Sequence, residues 1–377
     1  MRGWRHEAFD NVIADESGGN LKTPQSEFLP SGRYAIVDQG KELVAGYTND
    51  ESRLCHAQLP VIVFGDHTRC FKYIDFPFCM GADGVKVLRP KVEADAKYLY
   101  HYLRQVRLTE GGYDRHFKYL KRISIPLPPL PEQRLIAEIL DKADALRAKR
   151  RAALAQLDTL TQSIFLDMFG DPVANPRSWP LNGLSDLGTI ERGVSKHRPR
   201  NAPELLGGPY PFVQTGDVAN CGGYIRTYSA TYSEIGLRQS RIWPAGTLCI
   251  TIAANIAKTG ILTFEACFPD SVVGFRAQEP ATVEYVRVWF SFLQKTLERS
   301  APESAQKNIN LEILRALDVP TPGIDLQREF AHRLGAIERC KIAHKRAIDE
   351  CSTLFGSLQY HAFVGDLRFR GMYCGSG

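Results

Sequence analysis

Two stretches of this chain carry the period of helices that wind around one another. Ile139, Ala143, Leu146, Arg150, Ala153, Leu157, Leu160, Ile164 and Met168 alternate spacings of four and three until the last step. A shift of 194 positions carries most of this seam onto Ile337, Cys340, His344, Ala347, Cys351, Leu354, Leu358 and Ala362. No proline or glycine interrupts the first stretch between Pro131 and Phe169. Pro131 suits a first helical turn, where its missing N–H costs nothing, and Gly170 with Pro172 supplies a stop. The second stretch begins after Pro322-Gly323, where Asp325 is positioned to cap, and runs to Phe363. A helix of roughly 38 residues spans about 55 Å. Arg150 and His344 fall at equivalent seam positions and read as side chains reaching solvent at a thin point, with registry or a partner contact as the alternative.

Outside these stretches the pattern is mixed. Short β-rich runs such as Tyr34–Val37 and Val61–Phe64, punctuated by Gly and Pro, precede an aromatic helix around Ala96–Leu108; a second aromatic helix covers Tyr285–Leu293. The boundaries that follow are 1–124 for a first globular domain, 125–171 for a Pro-rich lead and helix, 172–318 for a second domain, 319–366 for a second lead and helix, and 367–377 for a tail.

The chain also repeats itself. Ile125-Pro126-Leu127-Pro128-Pro129-Leu130-Pro131-Glu132-Gln133-Arg134 leads into a helix ending at Phe169-Gly170-Asp171; Val319-Pro320-Thr321-Pro322 leads through Gln327-Arg328 into one ending at Phe363-Val364-Gly365-Asp366. Earlier in each copy, Trp4 matches Trp179, and Tyr34–Gly40 matches Tyr210–Gly216 at an offset of 176. The second copy therefore holds about 18 extra residues. One frame with two different insertions suits one scaffold carrying two specificities. The expected architecture is α+β: two similar globular domains separated by an antiparallel pair of long coiled-coil helices, with an internal pseudo-twofold repeat. Duplex DNA is the commonest partner with matching pseudo-symmetry.

Composition narrows the class without deciding it. With 377 residues, 44% hydrophobic and 24% charged, the chain has material for two cores. The longest apolar run, Thr247 to Leu262, is broken by Asn255 and Lys258, and the first residues have no apolar signal core, so a cytoplasmic location is expected. Nine cysteines without CxxC pairing suit a reducing compartment, most of them as small buried groups. A net charge of +5 is compatible with DNA binding but does not require it.

The Pro-rich motif at 125–134, the segments Gly112-Tyr113-Asp114-Arg115-His116-Phe117-Lys118-Tyr119-Leu120 and Gln306-Lys307-Asn308-Ile309-Asn310-Leu311, and the runs Val213–Val218 and Arg192–Lys196 resemble the specificity (S) subunit of type I restriction-modification systems. The resemblance covers essentially the whole chain; Pro322-Gly323-Ile324-Asp325-Leu326 departs from the usual Pro-Pro-Leu-x-Glu. It implies two target-recognition domains on double-stranded DNA, two modification (methyltransferase) subunits and restriction (motor-nuclease) subunits as partners. It also implies that S-adenosylmethionine, ATP and Mg reside on those partners and not on this chain.

The residues agree with a non-catalytic part. No Asn/Asp-Pro-Pro-Tyr/Phe motif, glycine-rich methyl-donor loop or Walker A sequence is present, and Pro269-Asp270 lacks a following Glu-x-Lys. His116 and His197 have no nucleophile and carboxylate nearby in sequence, and no metal or catalytic site is expected.

Candidate DNA contacts follow from donors, acceptors and cations in loops. In the first domain they are Gln39, Lys41, Arg69, Lys72, Tyr113, Arg115, His116, Lys118, Tyr119 and Lys121, with Arg122 beside them and Phe117 and Leu120 as core. In the second they are Arg192, Lys196, His197, Arg198, Arg200, Gln214, Thr215, Asp217, Arg238, Gln239, Arg241, Gln306, Lys307, Asn308 and Asn310. Two other readings stay open from the sequence: a stand-alone DNA-modifying enzyme, and a coiled-coil scaffold that binds no DNA.

Overall fold

A computed structural model describes residues 4–81, 84–108, 115–197, 199, 202–253, 256–300 and 309–364. The chain divides into two compact units, one built from residues 1–151 and 346–377 and the other from 152–345. Both divisions fall inside long helices, so each helix gives one part to each unit. Among the described residues, no helix is long and apolar enough to cross a membrane.

In the first unit β1 (Arg5–Ala8), α1 (Phe9–Val12) and β2 (Ile13–Asp15) precede β3 (Tyr34–Val37), β4 (Gly46–Thr48), β5 (Val61–Gly65), β6 (Phe71–Ile74), β7 (Phe78–Met80) and β8 (Val85–Pro90). They make a four-stranded sheet, β2-β8-β5-β6, and a three-stranded one, β4-β3-β7. Strand β5 is buried along its whole length, which explains its unbroken apolar run. Then come α2 (Ala96–Gln105), α3 (Phe117–Leu120), β9 (Ser124–Leu127) and α4 (Leu130–Phe169). The Pro-rich lead is an edge strand: β9 pairs antiparallel with β1, Arg5 opposite Leu127.

The second unit repeats the plan with β10 (Leu181–Gly183), α5 (Leu184–Leu187), β11 (Thr189–Arg192), β12 (Leu206–Phe212), α6 (Thr215–Asn220), β13 (Tyr224–Ile225), β14 (Ala230–Tyr232), α7 (Glu234–Arg238), β15 (Leu248–Thr251), β16 (Thr259–Leu262) and β17 (Val272–Arg276). It closes with α8 (Pro280–Ser300), α9 (Leu311–Arg315), β18 (Asp318–Pro320) and α10 (Ile324–Val364). Its sheet runs β11-β17-β15-β16-β13, and β10 pairs with β18 as β1 does with β9.

Each unit is locked at the same joint. Gln133 is 2% exposed; its Nε2 donates to Pro128 O at 2.8 Å and its Oε1 accepts from Asp95 N at 2.9 Å. Gln327 is 3% exposed; its Nε2 donates to Pro322 O at 2.8 Å and its Oε1 accepts from Thr282 Oγ1 at 2.8 Å. One amide thus ties the proline lead, the long helix and the start of the aromatic helix together. The aromatic helix adds a second tie, since the Tyr98 hydroxyl donates to Pro126 O and that of Tyr285 to Pro320 O. The far end of the opposite long helix packs on the same tyrosine: Phe363 lies 5.5 Å from Tyr98, and Phe169 lies 4.9 Å from Tyr285, between ring centroids. Gly170 ends α4 with φ +81°, a left-handed residue that stops the helix.

Asp325 does not cap the second helix. Gly323 O receives the N–H groups of Leu326 and Gln327, so the helix begins at Ile324 and Asp325 sits in its first turn, paired with Arg328 at 3.2 Å. A carboxylate there still suits the helix dipole.

Within the second unit the two long helices lie antiparallel, because Lys341 pairs with Asp158 at 2.7 Å while Phe330 packs on Phe165 and Phe169. In the first unit, Ile136, Ala137 and Leu140 share a cluster with Phe355 and Ala362, and Arg147 lies over the Phe355 ring at 4.6 Å. The inward seam differs in part from the one expected. Arg147 and Thr161 turn inward where Leu146 and Leu160 were expected, Lys341 and Phe355 replace Cys340 and Leu354, and Ala153 and Ala347 are half-buried as are Leu154 and Ile348 beside them. Leu146, Leu160 and Leu354 are exposed at 44%, 42% and 58%. Several true seam residues are cationic or polar and snorkel, so hydrophobicity alone chose the wrong neighbour. The cysteines also differ from expectation: Cys79, Cys249 and Cys267 are buried, Cys340 is exposed, and the other described thiols are half-buried.

A polar cluster around the buried His101 braces α2 on α4. His101 Nε2 contacts Asp141 Oδ1 at 2.8 Å, and Lys97 Nζ contacts Asp141 Oδ2 at 2.6 Å. Burial pushes the His101 pKa below its ordinary value of 6.5, against the upward pull of Asp141. Neutral His101 therefore donates to the carboxylate.

Two predictions follow from these contacts. Gln133→Leu leaves Pro128 O and the Asp95 N–H unpaired, at about 1–3 kcal/mol per group. Calorimetry of the full chain should show a lowered transition, and an unchanged profile would remove the joint from its role. Because the folded His101 pKa is depressed, the unfolded chain binds the proton more readily, so stability is present above pH 6.5 and declines as pH falls below it. Melting temperature should drop more steeply between pH 6.5 and 5 for the native chain than for His101→Gln; parallel curves would exclude this residue as the cause.

Candidate nucleic-acid interface

In the first unit three separate segments meet. The β5–β6 hairpin places Asp66 so that its backbone O accepts from His116 N at 2.9 Å and its carboxylate accepts from Phe117 N at 2.7 Å, clamping the start of α3. The same hairpin holds the turn after β3, with the Thr68 hydroxyl donating to Gln39 O. Glycines make the approach possible: a Cβ on Gly65 would lie 2.9 Å from Gln39 Cβ, and one on Gly84 would lie 2.9 Å from Gln39 Oε1. Gln39, Arg69 and the 115–121 segment are thereby gathered on one rigid scaffold.

The side chains there are not equivalent. Arg115, Lys118, Lys121 and Lys41 are exposed, whereas Phe117 and Leu120 are core as expected. Lys118 lies over the Tyr119 ring at 4.9 Å, and Lys121 contacts Asp10 at 3.4 Å. His116 is 4% exposed, and its backbone N–H is bound by Asp66 O, so it is part of the clamp and its ring is not presented to a ligand. Lys72 is 5% exposed, and its ammonium is held by Asp38 O at 2.8 Å and Asp38 Oδ1 at 3.3 Å. It fixes the Gln39 turn from below instead of presenting charge to a ligand. Tyr113 lies outside the described residues.

In the second unit the loop after β11 and the segment after α7 meet. Gln239 Oε1 accepts from Lys196 N at 2.6 Å and His197 N at 2.9 Å, and the Ser240 hydroxyl donates to Val194 O at 2.7 Å. Arg241 pairs with Glu191 and lies over the Trp243 ring at 4.3 Å. Arg192, Lys196 and Arg238 are exposed beside them. The Gln239 carbonyl is thus a loop organiser, while the cations around it face outward.

Gln214, Thr215 and Asp217 sit apart, at the start of α6, where Asp217 Oδ2 accepts from Gln214 N at 2.8 Å and from the Ser229 hydroxyl at 3.0 Å. Gln214 and Asp217 line a cleft of about 540 Å³ with Asn220, Arg226 and, from the second long helix, Lys345; these last three did not stand out in the sequence, where nothing local joins Lys345 to residues 214–229. Asn310 caps α9, its Oδ1 accepting from Ile313 N at 2.8 Å, which accounts locally for that amide. Arg198, Arg200, Gln306, Lys307 and Asn308 lie outside the described residues. No group of three or more His, Cys, Asp or Glu among the described residues is arranged to hold a metal.

Comparison with known proteins gives these loops a context. Residues 18–156 and 176–350 match the type I restriction modification DNA specificity domain family. The chain belongs to that family. It is 33% identical over 324 residues to the Escherichia coli type I restriction enzyme EcoR124I/EcoR124II specificity subunit, covering 79% of this chain and 78% of that one. It is 24% identical to the E. coli EcoBI specificity subunit, covering 94% and 79%. Its fold resembles that of the type I restriction-modification S subunit from M. genitalium, with a TM-score of 0.62 at 17% identity and 96% of each chain covered. This specificity subunit is accordingly a DNA-recognition component and not a catalyst.

For a DNA-recognition subunit the exposed cations make a quantitative prediction. Replacing Arg115, Lys118 and Lys121 together by Ala should weaken binding to every sequence and flatten the logarithmic salt dependence by about two to three units. Fluorescence anisotropy on cognate and mismatched duplexes measures both. A loss confined to the cognate duplex would mean that the segment reads bases and does not grip phosphates.

Proposed function

We propose that this specificity subunit reads a bipartite, asymmetric DNA target, each unit taking one half-site. In the first unit the Gln39 turn, the Arg69 hairpin and the 115–121 segment face DNA; in the second the 192–197 loop and the 238–241 segment do so. The single observation that carries this reading is that in both units cationic loops far apart in sequence are pinned together by buried or half-buried side chains, Asp66 in one and Gln239 in the other. Preorganised loops on a rigid sheet are what base reading requires. Exposed guanidinium groups among them, such as those of Arg115 and Arg238, suit guanine edges.

The long helices, of 40 and 41 residues, serve in this reading as the ruler between half-sites and as the platform on which two methyltransferase subunits dock, with motor-nuclease subunits joining them. Exposed Leu146, Leu160 and Leu354 supply apolar contacts for that docking. S-adenosylmethionine, ATP and Mg act on those partners, in the cytoplasm where the DNA is.

Exchange of residues 1–124 for the corresponding domain of another specificity subunit tests modularity. One half of the genome's methylated motif should change and the other should remain, as read by methylation-sensitive sequencing. A change in both halves, or in neither, would reject the assignment of one half-site to each unit.

A further inference from the structure

Where α2 ends, three arginines surround one cavity. Arg69, Arg104 and Arg107 line a space of about 410 Å³ together with Phe71, Val106 and Leu108, and no carboxylate is among the lining residues. Arg104 is held in place, pairing with Asp144 Oδ2 at 2.5 Å and lying 5.0 Å from the Tyr100 ring centroid. Asp144 also takes Arg147 at 2.9 Å, so its single charge is shared between two guanidinium groups. Arg69 and Arg107 are exposed and make no ion pair among the described residues. With the Arg104 charge partly offset by Asp144, Arg69 and Arg107 leave the cavity positive, and an anion placed among the three guanidinium groups is attracted by all of them.

The backbone at Arg69 adds an independent observation. Its φ is +61°, a left-handed conformation that glycine or asparagine adopts more readily than arginine. Arg69 N donates to Gly65 O at 2.8 Å, which holds the turn and aims the side chain from it. The same hairpin carries Asp66, which clamps His116 and Phe117. The hairpin therefore carries both one wall of the cavity, Arg69 and Phe71, and the clamp on the basic 115–121 segment.

We propose that Arg69, Arg104 and Arg107 form a seat for one phosphate of the DNA backbone, fixing the register of the duplex against the 115–121 segment. The proposal rests on the DNA-reading function above and names a contact within it. Planar guanidinium forks match phosphate oxygens in pairs, and the preset Arg104 lowers the ordering cost of binding. The seat positions the duplex without reading sequence.

The test uses the full chain assembled with the methyltransferase subunits of its system, on a duplex carrying the methylated motif. The variant is Arg69→Asn with Arg107→Ala; asparagine keeps the left-handed turn, and Arg104 keeps its bond to Asp144. Affinity for cognate and non-cognate duplexes should fall by a common factor of about ten, with the salt slope shallower by about one unit. Uncharged methylphosphonate is then placed at each backbone position in turn. One position should weaken the native complex and have no further effect on the variant, a coupling that a merely structural role would not produce. Unchanged salt slope, or a methylphosphonate profile identical in native and variant complexes, would overturn the seat while native salt-dependent binding left the DNA-reading function intact. Absence of DNA binding by the native complex would instead overturn both.

Discussion

A buried side-chain amide at the start of each long helix is the constraint on which the rest of this protein depends. A proline-rich strand supplies carbonyls but few N–H groups, and it must end where a helix begins with unpaired N–H groups. Gln133 and Gln327 resolve that junction in the same way, donating to the proline carbonyl five residues earlier and accepting from the first turn or cap of the aromatic helix. An amide is suited to the task because it donates and accepts from one planar group, whereas a buried carboxylate or ammonium would add the cost of an unpaired charge. With the junction fixed, the direction in which each long helix leaves its sheet is fixed too.

The two units use this common frame differently at their recognition ends. The first gathers cations around a carboxylate clamp, Asp66, that bonds only backbone groups of the segment it holds. The second organises its cationic loop through Gln239 and closes it with Arg241 stacked on Trp243. Neither organiser needs to touch a ligand to matter. Both hold exposed charged side chains at positions set by the sheet, so the part that varies can vary without loosening the part that folds.

The repeat was legible in the sequence because its signals are local: prolines before a helix, glycine after one, a buried apolar strand at Val61–Phe64. The seam of the long helices was half legible. Leu146, Leu160 and Leu354 look like seam residues yet lie outside, while Arg147, Thr161 and Lys341 lie inward, and only the partner surface decides between neighbours one residue apart. Among candidate site residues the 115–121 cluster was visible as a run of cations and aromatics. The fate of Lys72, buried on Asp38 34 positions away, was not, nor was the grouping of Arg69 with Arg104 and Arg107, because both depend on tertiary closure. Asn310 illustrates the reverse case, an amide whose helix cap explains it without any ligand.

The division of the chain into units has a consequence for its birth on the ribosome. The second unit is a continuous piece, residues 152–345, and can close as soon as it has left the exit tunnel. The first unit is discontinuous, for its core includes Phe355 and Ala362, and Phe363 packs on Tyr98 and Tyr102. Residues made first must therefore wait, with part of their apolar surface uncovered, until almost the whole chain has been translated. Completion runs opposite to synthesis, and the nascent first unit is the segment most in need of protection from aggregation.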